Sequence, residues 1–403
     1  MSLADLRRIA GDVDPEPIAA LTSRMLEIWS PPGEESEIAA VAHRALIDAG
    51  AEDVTLDDDV PGSPSVIAWL RGTAPGPTIQ WHGHLDAIRT PQGPVRRDGD
   101  VIHGRGAADM KGALAAMVEA VKLLRAANLP ERGNVLITFH GLHEEGGSVP
   151  LHHLIERGIH GDAVIIGELG SGRELVTHSR GLTFWDFVVR RPGAGIHETV
   201  AARDVIHPLR VGEVLLRRLV ELAEGLAAGR IEPRGSLFVG RFTSGDYYNR
   251  VPLDAQLSGT RRHHADSTLA AVHAQLLELA ADVAAETGAT IEPQIHALIE
   301  AYEIDPNERI ARALRIAHHE LTGERMVAVG SRATGNAGDF VHEAHIPAVY
   351  YGCSYPTAHS DDEQVFVPEL ARVAAGYALA SAHFLSADAE LAAPPLETLE
   401  PAE

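Results

Sequence analysis

Apolar positions recur with helical spacing over residues 16–28 and again over 35–49, on either side of the turn-forming run Ser30-Pro31-Pro32-Gly33. Residues 65–70 and 78–81 have the pattern of strands, and 106–129, rich in Ala, Leu, Met and Lys, predicts a strong helix. Residues 134–139 and 163–166 are short, mostly apolar runs of the kind that lie in a sheet covered on both faces. Strands alternating with helices predict an α/β layered sheet.

The pattern then changes. Residues 182–191 alternate apolar and polar, as a strand with one wet face does. A helix is predicted over 208–228, strands over 237–242 and 255–261, a second helix over 266–286, and a closing strand over 291–298. That strand–helix–strand–strand–helix–strand order predicts a small sheet with both helices on one face, inserted into the larger domain. The α/β alternation resumes from Ile310. The expected domains are therefore 1–178 and 296–386 for the large domain and 179–295 for the insert. A tail over 387–403, rich in Ala, Pro and Glu, is expected to be disordered.

Composition narrows this picture further. A chain of 403 residues exceeds one ordinary core, consistent with two domains. Cys353 is the only cysteine, so no intrachain disulfide and no thiolate-built zinc knuckle can form, and any metal must be held by histidine and carboxylate. A formal net charge of −23 argues against nucleic acid or an anionic membrane as partner. No apolar run is long enough to span a bilayer. Residues 1–12 lack the apolar core of a signal peptide, and a cytoplasmic enzyme is expected. The 22 histidines are too many for abundance to point to a site, so position has to.

Acids and histidines gather where predicted strands end. His84 and Asp86 follow the strand at 78–81; residues two apart at a strand end share a face, although a lone His-x-Asp is commonly a surface pair. Asp109 closes a Gly-rich run, Gly104-Arg105-Gly106-Ala107-Ala108-Asp109, at the entry to the predicted helix. It could simply cap that helix, but its two free oxygens could also bridge two ions. Glu144 and Glu145 follow an apolar strand. Adjacent carboxylates there repel unless a cation lies between them, and one can hold metal while the other takes a proton from water. Glu168 follows the buried run Val164-Ile165-Ile166, and His359 precedes the acidic stretch Asp361-Asp362-Glu363. In an open α/β sheet ligands bind beyond the carboxyl ends of the strands, and a shared site for divalent metal is the simplest account of these positions. A sulfur-free set suits zinc, with manganese or cobalt as alternatives.

In this order, these motifs resemble those of the acetylornithine deacetylase, succinyl-diaminopimelate desuccinylase, aminoacylase and carboxypeptidase G family, often called metallopeptidase family 20. The resemblance covers nearly the whole chain. It implies a phosphorylase/hydrolase-like three-layer α/β/α zinc-hydrolase domain with an inserted α+β, ferredoxin-like lid or dimerisation domain. It implies two divalent metal ions, one held by His84, Asp109 and Glu168, the other by Asp109, Glu145 and His359, with a cis peptide after Asp109. Glu144 is then the general base and Asp86 orients His84. In the insert, His197 would steady the oxyanion across a homodimer interface, and Asn249 and Arg261 would grip a substrate carboxylate, with Arg262 on the other face of its strand.

The chain departs from the common pattern at His143, where relatives often carry Asp, at Leu169, and over residues 331–339 around Asn336. The last departure bears on the substrate. The expected activity is hydrolysis of an N-acyl amino acid amide; a dipeptidase, a carboxypeptidase, or an amidohydrolase of a less usual small amide or aromatic amine shares that chemistry. A non-catalytic metal-binding homologue stands in a different class, but no ligand or base is missing from this sequence.

Overall fold

The computed structural model describes residues 3–397 except 92, 146, 172, 232–234, 332, 333, 389 and 390. Gly146 of the Glu-Glu-Gly motif, Arg332, Ala333 and the last six residues of the expected tail thus lie outside the described residues. The chain divides into two compact units, one comprising residues up to 178, 304–331 and 335 onward, the other 179–303.

The first unit is built on a mixed sheet. Its strands run in the spatial order Glu52–Asp57, Ser65–Arg71, Arg132–His140, Ala74–His84, Ala163–Ser171, Ala348–Gly352 and Glu174–Ser179. Four central neighbours, Arg132–His140, Ala74–His84, Ala163–Ser171 and Ala348–Gly352, are mutually parallel, so their carboxyl ends share one edge. Parallel strands need both faces covered. Accordingly Ile79, Trp81, Val135, Ile137, Val164 and Ile166 are all fully buried, and the helices Gly112–Ala126 and Val367–Leu385 bury nearly every apolar side chain they carry.

The helix predicted over 106–129 starts later than the pattern suggests. Residues Ala107–Lys111 form a single wide turn in which Asp109 and Met110 have non-helical torsions, and the α-helix proper is Gly112–Ala126. The peptide Asp109–Met110 is cis. Helical propensity is overridden here by Glu363, fully buried, whose carboxylate accepts the backbone N–H groups of Gly106, Ala108 and Asp109 at 3.0, 3.1 and 3.1 Å.

Within the tail expected to be disordered, residues 391–397 are described and contact the first unit. Leu391 is buried, Pro394 O accepts Arg315 Nε–H at 3.1 Å, and Glu397 N–H donates to Met326 O at 2.9 Å. One apolar anchor and backbone pairing with 326–327 outweigh the polar composition.

The second unit is a four-stranded antiparallel sheet in the order Ser236–Ser244, Asp254–His263, Gly181–Arg190, Thr290–Ile299. The helices Pro208–Ala227 and Leu269–Thr287 cover one face, and Trp185, Phe187, Val189 and Leu257 meet Leu215, Leu219, Leu276 and Val283 in a core of its own. Where the pattern places the close of the insert at 295, the last strand runs on to Ile299. Among the described residues no helix is long and apolar enough to cross a membrane.

Candidate metal centre

The shared edge of the parallel strands in the first unit gathers the predicted acids and histidines. His84 is the last residue of its strand, Glu168 lies in Ala163–Ser171, Glu144 follows Arg132–His140 by four residues, and His359 follows Ala348–Gly352 by seven. Asp109 sits at the centre. Its Oδ1 is 3.0 Å from His84 Nε2, and its Oδ2 is 3.1 Å from His359 Nε2, so its two oxygens face two different histidines. His359 Nε2 is also 3.1 Å from Glu144 Oε1. Asp86 lies beside His84: His84 Nδ1–H donates to the Asp86 backbone carbonyl at 3.0 Å, and the Asp86 carboxylate lies 3.6 Å away. The same carboxylate accepts Glu144 N–H at 2.8 Å, tying the histidine's support to the loop that carries the Glu pair.

Glu145 does not join them. Expected as a metal ligand, its side chain is 49% exposed and accepts Arg89 Nε–H at 3.0 Å. The loop path decides this: with Glu144 N–H anchored on Asp86, only Glu144 turns inward, where its side chain is 7% exposed. Arg261, expected to grip a substrate carboxylate, is turned toward the helix-covered face of the second unit's sheet. On its strand it shares the helix-covered face with Ala255 and Leu257, is almost fully buried, and donates through Nε to Gln275 Oε1 at 3.3 Å. Its neighbour Arg262 lies on the opposite face, with Nη1 buried and without a hydrogen-bond partner among the described residues. His197 and Asn249, also in the second unit, are brought together on a short two-stranded ribbon, 2.8 Å apart through Nε2 and Nδ2 and exposed. Asn336 is buried rather than lining an open surface, and its Nδ2 donates to Ser148 Oγ at 2.9 Å and Asp339 Oδ2 at 2.8 Å.

Three contributors escaped the sequence reading. Tyr355, three residues beyond the strand Ala348–Gly352, donates its hydroxyl to Asp109 Oδ2 at 2.8 Å; its place just past a strand end was the available signal. Glu363 shapes the Asp109 turn and pairs with Arg105 Nη1 at 2.8 Å, both side chains buried. His143 stacks on His84, centroids 4.4 Å apart. Only its departure from the usual Asp marked it.

Burial and neighbouring groups shift the titrations of the site in opposite directions. Burial, reinforced by Asp109 and Glu144 against the opposing pull of His84, pushes the Glu168 carboxyl up to about 8. Burial also raises Glu144, although its hydrogen bond with His359 opposes the shift. Asp109 goes the other way, because hydrogen bonds with His359 and His84 outweigh its burial. Hydrogen bonds to Asp109 and Glu144 lift His359 to about 10. Glu168 Oε1 is buried with no hydrogen-bond partner among the described residues. It stands 3.6 Å from His84 Nε2 and 3.7 Å from His143 Nε2, too far for hydrogen bonds but close to the ligand–ligand edge, about 3.3 Å, of a tetrahedron with ~2 Å bonds. Such a donor set fits divalent cations. Among the described residues three groups have ligand atoms within 4.8 Å of one another: His84, His143 and Glu168; His84, Asp109 and Glu144; and, apart from these, His152, Asp339 and Glu343.

Comparison with known proteins bears on the same residues. The model of the family described as peptidase family M20/M25/M40 matches residues 81–383. The succinyl-diaminopimelate desuccinylase of Dinoroseobacter shibae is 25% identical over 376 residues, covering 89% of this chain and 96% of its own. Aminopeptidase PepT from Bacillus cereus superposes with a TM-score of 0.79 at 21% identity, over 93% of this chain and 100% of that one. The YXEP protein of Bacillus subtilis, described as a dinuclear metal-binding peptidase, gives a TM-score of 0.70 at 18% identity over 92% and 98% of the two chains.

Proposed function

The chain belongs to the M20/M25/M40 peptidase family and is a hydrolase of that family, and from that premise we propose that it cleaves the amide bond of an N-acyl amino acid at a centre of two divalent metal ions, zinc by donor chemistry. The single observation that carries the reading is Asp109, whose two oxygens face His84 and His359 at 3.0 and 3.1 Å. His84 and Glu168 would hold one ion with Asp109, and His359 the other with Asp109. When bound, such ions polarise the scissile carbonyl and acidify the attacking water.

The protein's own groups supply the rest. Glu144, buried and raised, is suited to accept a proton from the attacking water and deliver it to the leaving amine. Asp86 and Tyr355 hold His84 and Asp109 in place. The resemblance would assign His197, Asn249 and an arginine of the second unit to the substrate; within that unit His197 and Asn249 lie 2.8 Å apart, and Arg262 rather than Arg261 is on the face without helices. Pairing of two copies through this unit, as the resemblance implies, would carry His197 to a neighbouring subunit; a monomer by light scattering removes that role.

Glu144→Gln is expected to lower kcat by about 10²–10³-fold with two metal equivalents retained, whereas Glu145→Gln stays within a few-fold of wild type. Loss of activity with Glu145→Gln, and not with Glu144→Gln, would return the two glutamates to other roles. A dipeptidase is the second reading, favoured by the likeness to an aminopeptidase and a peptidase. A panel of N-acyl amino acids and dipeptides with zinc, manganese and cobalt separates the two. Bound metal without hydrolysis of any member would leave a non-catalytic metal-binding protein.

A further inference from the structure

His143 parallels the candidate ligand beside it, with one ring nitrogen on a fixed oxygen and the other toward Glu168. His84 has Nδ1 engaged by the Asp86 carbonyl at 3.0 Å and Nε2 turned to Glu168 Oε1 at 3.6 Å. His143 has Nδ1 at 3.3 Å from Ser148 Oγ and Nε2 at 3.7 Å from the same Glu168 oxygen. A histidine that binds metal through one nitrogen characteristically donates the other N–H to a fixed acceptor. Ser148 Oγ is such an acceptor, because Asn336 Nδ2 donates to it at 2.9 Å and Asn336 is itself buried and anchored on Asp339. The two rings lie parallel within 20° and only 4.4 Å apart, so both present Nε2 to one side. Glu168 Oε1, buried and without a hydrogen-bond partner among the described residues, is aimed between them.

We propose that His143 is a metal ligand, completing with His84 and Glu168 a nitrogen-rich site on one side of Asp109 in place of a purely single-histidine site. The proposal rests on the dinuclear reading above and extends it to this chain's own loop. Its chemical consequence is selectivity. A second imidazole shifts preference toward zinc or cobalt and away from manganese, which favours oxygen donors. Asn336, Ser148 and Asp339 become the support of that ligand, which gives the buried polar chain behind the site a purpose.

Zinc-edge X-ray absorption of the wild-type protein loaded with two zinc equivalents tests this without a mutation. The expected fit has three imidazoles per two zinc ions. His143→Ala is expected to lower this to two, and to weaken one of the two equivalents by about 10²-fold in competition with a chromophoric chelator, with circular dichroism unchanged. Ser148→Ala should weaken the same equivalent by a smaller factor. Two imidazoles per zinc pair in the wild type, or unchanged affinity of both equivalents in His143→Ala, overturns the ligand role while leaving the dinuclear centre standing. A wild-type protein that takes up no zinc overturns the dinuclear reading itself, and this proposal with it.

Discussion

At the scale of single residues, adjacent positions separate by the face that each side chain takes. Arg261 and Arg262 differ by one position and carry the same charge. Strand alternation puts Arg261 under the helix Leu269–Thr287 against Gln275, and Arg262 on the face without helices. Their substitutions should therefore separate. Arg262→Ala is expected to raise KM for an anionic substrate by about 10-fold or more with little change in stability. Arg261→Ala is expected to cost about 1–3 kcal/mol of stability, measured by denaturant unfolding, through lost packing and stranded polar groups. Equal KM effects from the two would remove the distinction.

At the scale of elements, long-range polar ties fix segments whose own sequences specify little. Glu363, from the acidic stretch late in the chain, gathers three backbone N–H groups and Arg105 and so bends the entry to Gly112–Ala126 around Asp109. The short first helix, Leu3–Ala10, is tied by Arg7 to Glu320 of Arg309–Thr322, and Glu320 also meets His383 of Val367–Leu385. Burial opposes ionisation of Glu320, but its hydrogen bonds with His383 and Arg7 win and hold its carboxyl at about 2. A carboxyl depressed on folding contributes stability above its ordinary range, and that contribution is lost as pH falls from there through about 2. Glu320→Gln should accordingly cost about 1–2 kcal/mol at pH 7. The gap from wild type should narrow steadily between pH 5 and 3 in unfolding titrations. A gap that widens on acidification would contradict this sign.

For the whole molecule, the division into units predicts how metal and stability are linked. The candidate ligands His84, Asp109, Glu168, His359 and His143 and the candidate base Glu144 all belong to the first unit, while the second has a separate helix-on-sheet core. A ligand that binds only the folded state stabilises what it binds, by about 2.7 kcal/mol at a hundredfold excess over Kd. Chelation should therefore speed hydrogen exchange in peptides from Ala74–His84 and Ala163–Ser171 and leave Gly181–Arg190 unchanged. Equal acceleration in both units, or none in either, would argue against a metal centre confined to the first.

The sequence by itself determined the alternation of strands and helices, the inserted unit, and the set of acids and histidines at strand ends. These depend on local periodicity and on motif order, both of which are written along the chain. It also shows that Arg261 and Arg262 point oppositely, since that follows from a period of two. Only the tertiary structure decided which of the two faces is covered by helices, and so which arginine is packed beneath them. It alone turned Glu144 inward and left Glu145 exposed, because the Asp86 carboxylate, 58 residues away, anchors the loop that carries both. It alone brought Glu363, Tyr355 and His143 to the centre and packed residues 391–397 on the first unit. Each of these outcomes depends on partners far off in sequence, whose approach is set by how the layers pack rather than by any nearby pattern.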